Sequence, residues 1–147
     1  MFIGEGPGAE EDQQGLPFVG RAGMLLTGLI TAMGLTREDV YITNVVKCRP
    51  PGNRNPEPDE TAACRPILDR QIQLLHPQLI VTLGNVPLKT LRPDAGGITR
   101  ERGQVFRHGE FQVLPTFHPS YLLRNPDALE TCWEDLRLAL QLAYPPS

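Results

Sequence analysis

The chain has 147 residues, with 14 Lys plus Arg against 17 Asp plus Glu and a net charge of −3. That balance excludes a protein that coats nucleic acid with uniform positive charge, so any phosphate-binding surface has to be local. At 40% apolar residues the length suits one domain, residues 1–147, able to bury roughly 70% of its unfolded surface without disulfides.

No stretch approaches the roughly 18 apolar residues of a membrane span, and Met1–Glu5 has neither the basic nor the apolar part of a signal peptide. A cytoplasmic monomer without membrane contact is the expectation. Cys48, Cys64 and Cys132 are odd in number and irregularly spaced, which suits free thiols or metal ligands better than a disulfide scaffold. Only two of the basic residues are lysines, Lys47 and Lys89. The rest are arginines, whose forked donors suit phosphate and carboxylate.

In chain order, Met1–Glu5 reads as the end of a strand, and Gly4-Glu5-Gly6-Pro7-Gly8 as a tight loop. Met1, Phe2 and Ile3 are short for a buried strand, so residues upstream of Met1 are expected to be missing. Ala22, Leu25, Leu26, Leu29, Ile30 and Met33 recur at helical spacing, and Gly34 stands where a left-handed cap belongs. Val40–Asn44 and Leu79–Leu83 fit buried parallel strands. Between them Asp59–Leu75 reads as helical, with a kink or a break expected at Pro66. Five of the 15 prolines lie between Pro50 and Pro66, marking an irregular loop before that helix.

Val86–Leu91 follows as a short helix. Gln104–Arg107 and Phe111–Leu114 make a hairpin through His108-Gly109-Glu110. Asn125 and Pro126 then open a last helix with Leu129, Cys132, Trp133, Leu136, Leu140 and Ala143 along one apolar stripe. Strands alternating with helices predict an α/β fold, a three-layer α/β/α sandwich on a mostly parallel four-stranded sheet. Ligands of such sheets bind beyond the carboxyl ends of the strands. Glu5 to Asp12, Asn44, Gly84-Asn85 and His118 all follow strand ends, so four segments converge on one edge.

The Gly-rich turn could cradle a phosphate, but it lacks the lysine of a P-loop, and Glu5, Glu10, Glu11 and Asp12 would repel an anion. The same acids could stabilise a sugar becoming cationic or hold a water for attack, which points to glycosidic bond chemistry. Glu10 and Asp12 read as solvated charges at a helix start; Glu5, between a strand and a Gly-Pro-Gly turn, is the stronger candidate. Asn44 offers an amide that donates and accepts, matching the edge of a base, although asparagine also ends strands for purely local reasons. His118 offers a neutral donor to a developing oxyanion. Phe18 could stack on a flat ring or fill the core.

Cys48 and Cys64, with fifteen residues between them, would make half of a metal or iron-sulfur site. Lys47, Arg49 and Arg54 have no acid between them and could hold phosphates. Lys89 to Arg107 is a second basic stretch. Cys132 suits core packing.

Taken together, Gly4–Asp12, Pro17-Phe18-Val19-Gly20, Tyr41–Pro51 and His118-Pro119-Ser120-Tyr121-Leu122-Leu123-Arg124 resemble family 4 uracil-DNA glycosylases, the iron-sulfur type, over essentially the whole chain. The resemblance implies hydrolysis of the N-glycosidic bond of deoxyuridine, in single- or double-stranded DNA, after the base is flipped out of the stack. It implies that Phe18 stacks on uracil, that Asn44 pairs with its polar edge, and that the Gly6 backbone meets a carbonyl. His118 would stabilise the departing anion. Glu5 would position water or support the oxocarbenium ion, and Glu11 would crowd the C5 position against thymine; those two roles could be exchanged. Leu122, Leu123 and Arg124 would enter the minor groove.

The resemblance further implies a [4Fe-4S] cluster on four cysteines, with Cys48 and Cys64 as its second pair and the first pair upstream of the Gly-rich loop. That first pair has no counterpart here, and Cys132 matches no ligand position. The expectation is a chain lacking an N-terminal segment, with an incomplete or absent cluster and impaired activity. A non-catalytic DNA- or nucleotide-binding module on the same fold is the second reading, and an enzyme binding a nucleotide through the Gly-rich loop is the third.

Overall fold

The computed structural model describes residues 1–6, 20–47 and 57–145. β1 (Phe2–Gly4), α1 (Arg21–Ala32) and β2 (Ile42–Asn44) come first, followed by α2 (Pro58–Leu75), β3 (Ile80–Leu83), α3 (Asn85–Leu91) and α4 (Ile98–Glu101). β4 (Phe106–His108), β5 (Phe111–Thr116), α5 (Pro119–Arg124) and α6 (Leu129–Ala143) complete the order. Among the described residues the sheet has five strands, β2-β1-β3-β5-β4. Four are parallel, as expected. The fifth, β4, pairs antiparallel with β5 and is the first arm of the predicted hairpin, so the sheet is one strand wider than the sequence suggested.

The strands are apolar on both sides because both sides are covered. Phe2, Val81, Leu83 and Leu114 face α1, α5 and α6, meeting Leu26, Ile30, Leu122 and Leu136. Ile3, Ile80 and Val113, one residue out of step, face α2 and α3, meeting Leu68, Ile72 and Leu91. A period of two along each strand thus builds a three-layer α/β/α sandwich with two cores. Each of these fully buried side chains contributes about 1.5–3 kcal/mol.

Gly34 closes α1 as expected: its N–H donates to Thr31 O at 2.9 Å, and Leu35 N–H donates to Ile30 O at 3.1 Å, the two bonds of a Schellman motif. Pro66 does not break α2, which runs unbroken from Pro58 to Leu75. The carbonyl that loses its donor is that of Ala62, and both residues lie on the exposed side, where water can serve. Leu68 and Ile72 meanwhile hold the other side in the core. Asn125 caps the C-terminal segment differently from expectation. Its side chain donates back to Tyr121 O at 3.2 Å, and its own carbonyl accepts from Ala128 N–H to form a 3₁₀ turn before α6. Among the described residues no helix is long and apolar enough to cross a membrane.

Candidate active site

β1, β2, β3 and β5 run parallel, so their carboxyl ends share one edge. Gly4 is in register with Asn44, and the chain beyond β2 is tied to that beyond β1: Val45 N–H donates to Gly4 O at 2.9 Å and Val46 N–H to Glu5 O at 3.0 Å. On the other side Gly84 N–H donates to Thr116 O at 2.9 Å, joining the ends of β3 and β5. The edge therefore reads Asn44, Glu5, Gly84, His118 across four neighbouring strands. Three inter-strand steps span roughly 14 Å, enough to seat one flat heterocycle and its sugar.

Asn44 is 6% exposed, and its Oδ1 is buried without a hydrogen-bond partner among the described residues. A buried amide oxygen left unpaired costs about 1–3 kcal/mol, an expense natural folds rarely carry without a use. Here it is an acceptor held open for an N–H donor. Glu5 is half-buried, and burial raises its carboxyl above the ordinary value, making the carboxylate a stronger base. Gly6 follows it, also half-buried.

His118 stands at the start of α5. Its Nδ1 accepts from Ser120 N–H at 3.0 Å and lies 2.7 Å from Ser120 Oγ. A backbone amide can only donate, so Nδ1 carries no proton and the neutral ring holds its proton on Nε2. Burial, aided by the nearby Arg124 charge, lowers His118 to about 4. The ring is therefore a neutral Nε2–H donor at physiological pH.

Gly84 makes this placement possible. Its φ of +89° and ψ of −171° fall in a region that is essentially glycine-only, and a Cβ there would come within 3.1 Å of His118 Cβ. Gly84→Ala is expected to lose about 1–3 kcal/mol of stability in urea unfolding and to push the imidazole aside. A stability loss below about 0.5 kcal/mol would show that the backbone relaxes freely there.

Other expected residues are placed otherwise. Leu122 is 3% exposed and packs in the core beside α1 and α6, away from the surface where a wedge is expected. Successive helical residues point about 100° apart, and on a six-residue helix only one of the adjacent leucines can face outward. That one is Leu123, 38% exposed, with Arg124 exposed beside it. Lys47 does not reach outward for a phosphate. Its ammonium donates to Thr43 Oγ1 at 2.7 Å, to Gln71 Oε1 at 2.7 Å and to the carbonyl of Asn44. Burial lowers it to about 8, with Cys64 acting in the opposite sense.

Glu11, Phe18, Cys48, Arg49 and Arg54 lie outside the described residues. Cys64 sits half-buried on α2 and accepts from Lys47 N–H through Sγ at 3.4 Å, a contact suited to a ligating thiolate. Cys132 is buried in the core against Thr116, its thiol raised by burial. It is no ligand. The described residues thus hold one of the four thiolates a cluster needs, and no group of three or more metal-ligating side chains occurs among them.

Two features were not read from the sequence. Ser120 sets the tautomer of His118. Asp135, 2% exposed on the apolar stripe of α6, pairs with Arg102 and Thr116 at the end of β5. A charge inside an apolar stripe was the available signal; its partner, 33 residues away, was not.

The parallel sheet edge thus brings together an open amide acceptor, a raised carboxylate and a neutral histidine donor. The uracil DNA glycosylase superfamily pattern matches residues 1–137. A type-4 uracil-DNA glycosylase of Sulfurisphaera tokodaii is 47% identical, with 99% of this chain aligned to 70% of that protein. One of Thermotoga maritima is 56% identical over 85% of this chain and 66% of its own length, and one of Archaeoglobus fulgidus 41% over 93% and 73%. The chain belongs to the uracil DNA glycosylase superfamily. It spans about 66–73% of the length of these type-4 relatives.

Proposed function

We propose that the chain is a DNA-repair glycosylase that hydrolyses the N-glycosidic bond of deoxyuridine in DNA, releasing uracil and leaving an abasic site. The buried, unpaired Oδ1 of Asn44 carries this reading. The N3–H of uracil is the donor that oxygen lacks, and the adjacent amide N–H groups suit uracil O4. Cytosine presents an acceptor at N3 and donors at N4, so in this orientation the amide would set oxygen against lone pair and N–H against N–H, and cytosine pairs only with the amide turned over.

The base enters extrahelically. As the C1′–N1 bond breaks, its electron pair passes to uracil, and His118 Nε2–H donates to the O2 where charge accumulates. Glu5 orients a water at C1′ and takes its proton as the oxygen bonds to the sugar. Glu11 would crowd C5, Phe18 would stack on the ring and the Gly6 backbone would meet a carbonyl, by resemblance. Glu5 and Glu11 could exchange roles. Leu123 and Arg124, exposed beside His118, are the parts of α5 able to meet DNA; Arg49 and Arg54 remain phosphate contacts by sequence. Cys48 and Cys64 would supply two of the four thiolates of a [4Fe-4S] cluster, which would brace the Pro-rich loop and enters no chemical step.

The test is an oligonucleotide carrying one uracil, with enzyme in excess and alkali-induced strand cleavage as the readout. Uracil-dependent cleavage is expected, slowed about a hundredfold or more in Asn44→Ala. A gel shift without alkali-labile sites would favour the binding module.

A further inference from the structure

The geometry points to Lys47 as a positioning residue for base recognition, its ammonium holding the Asn44 strand end in register with the α2 helix instead of meeting a DNA phosphate; this rests on reading Asn44 as the uracil contact. An ammonium has three N–H donors. All three are matched, by Thr43 Oγ1, Gln71 Oε1 and the Asn44 carbonyl, so none is left for a phosphate oxygen.

The acceptors are themselves fixed. Thr43 Oγ1 donates to Gln71 Oε1 at 3.2 Å, and Gln71 Nε2 donates to Tyr41 OH at 3.1 Å, so Lys47 completes a closed polar network on one side of β2. The same residue meets α2 a second time, where its backbone N–H donates to Cys64 Sγ. Cys64 and Gln71 are seven residues apart, two helical turns along one face. Lys47 therefore clamps the turn after β2 to α2 at two heights, while Val45 and Val46 clamp it to β1.

The arrangement matters because Asn44 cannot orient itself. Its Oδ1 has no partner, so the amide is aimed by the backbone that carries it, and that backbone is held at its carbonyl by Lys47. A shift near 1 Å at such a site is enough to cost about a hundredfold in rate.

Lys47→Met, of similar length and without donors, distinguishes the two roles. Binding of free radiolabelled uracil by equilibrium dialysis and single-turnover excision are expected to fall about tenfold or more, while the salt dependence of DNA binding stays that of the parent. The phosphate role predicts the opposite. Free-uracil binding would be unchanged, and the slope of log affinity against log salt would drop by about one; that outcome overturns the proposal. Should Lys47→Met fail to fold, Gln71→Leu leaves the cation in place and is expected to weaken uracil binding in the same direction; unchanged binding overturns the proposal equally. Failure of the glycosylase reading looks different, since the parent chain would then neither bind uracil nor excise it.

Discussion

His118→Asn is expected to slow uracil release by about 10²–10³-fold while leaving uracil binding near the parent value. The asparagine Oδ1 can stand where Nδ1 stands and still accept from Ser120 N–H, so the start of α5 is retained. What is lost is the Nε2–H, the donor that the proposed mechanism assigns to charge developing only as the bond breaks. A loss in rate without a loss in binding is the signature of such a group. Equal falls in binding and rate would instead make the ring part of the base pocket.

The pH dependence follows from the same residue. With His118 lowered to about 4, the ring stays neutral throughout the neutral range and sets no limb of the rate profile there. The acid limb is expected from Glu5, which works as a carboxylate in the proposed mechanism and whose pKa burial raises from its ordinary value. Stability moves too. An unfolded histidine takes up a proton near pH 6.5, whereas the buried ring does so only near 4. Stability is therefore complete above about pH 6.5 and is lost as pH falls towards 4, by on the order of 3 kcal/mol. His118→Asn should flatten that part of the curve in urea unfolding at a series of pH values.

Asp135→Ala is expected to cost about 3–5 kcal/mol, the largest stability loss of any single polar substitution considered. Arg102 meets Asp135 in a fork, Nη2 to Oδ1 at 2.6 Å and Nε to Oδ2 at 3.0 Å, and Thr116 Oγ1 adds a third bond at 2.7 Å. The hydrogen bond to Asp135 also raises the Arg102 guanidinium further. Gly103 closes the arrangement: at φ +76°, a Cβ would lie 2.7 Å from Asp135 Oδ1. Alanine at 135 would leave the guanidinium without its carboxylate and the wholly buried Thr116 hydroxyl with only the weaker acceptor Cys132 Sγ, 3.4 Å away. Because Thr116 lies two residues before His118, excision should fall along with stability.

Asp135→Leu combined with Arg102→Met is expected to recover much of the loss, since replacing both partners removes the desolvation cost along with the attraction. Denaturant unfolding of the single and paired variants decides the matter. A single-variant loss under about 1 kcal/mol would mean that water already serves these groups.

The strands, the hairpin, the Gly34 cap and the apolar stripe of α6 were legible because each is a local pattern. Two-residue alternation, helical spacing and turn chemistry act over a few positions, and the structure keeps them. The convergence of Glu5, Asn44, Gly84 and His118 was legible for a related reason, since parallel strands place all their carboxyl ends on one side.

Side-chain direction at packed positions was not legible in the same way. Pro66 looked like a break, but only the exposure of Ala62 tells that its freed carbonyl has water to turn to. Leu122 and Leu123 are identical in kind, and the packing of α5 against α1 decides which one is core. Lys47 looked like a free cation beside arginines, yet Gln71, 24 residues away, accepts a hydrogen bond from its ammonium.

By itself the sequence determined the layer order, the edge where the site lies, and the chemical types gathered there, because these depend on periodicity and on the ends of elements. Tertiary structure alone decided the tautomer of His118, the open oxygen of Asn44, the inward ammonium of Lys47 and the pairing of Asp135 with Arg102. Each of those is a hydrogen bond or its absence in a buried place. Its outcome depends on which distant group the packed fold brings within about 3 Å, and no local pattern encodes that distance.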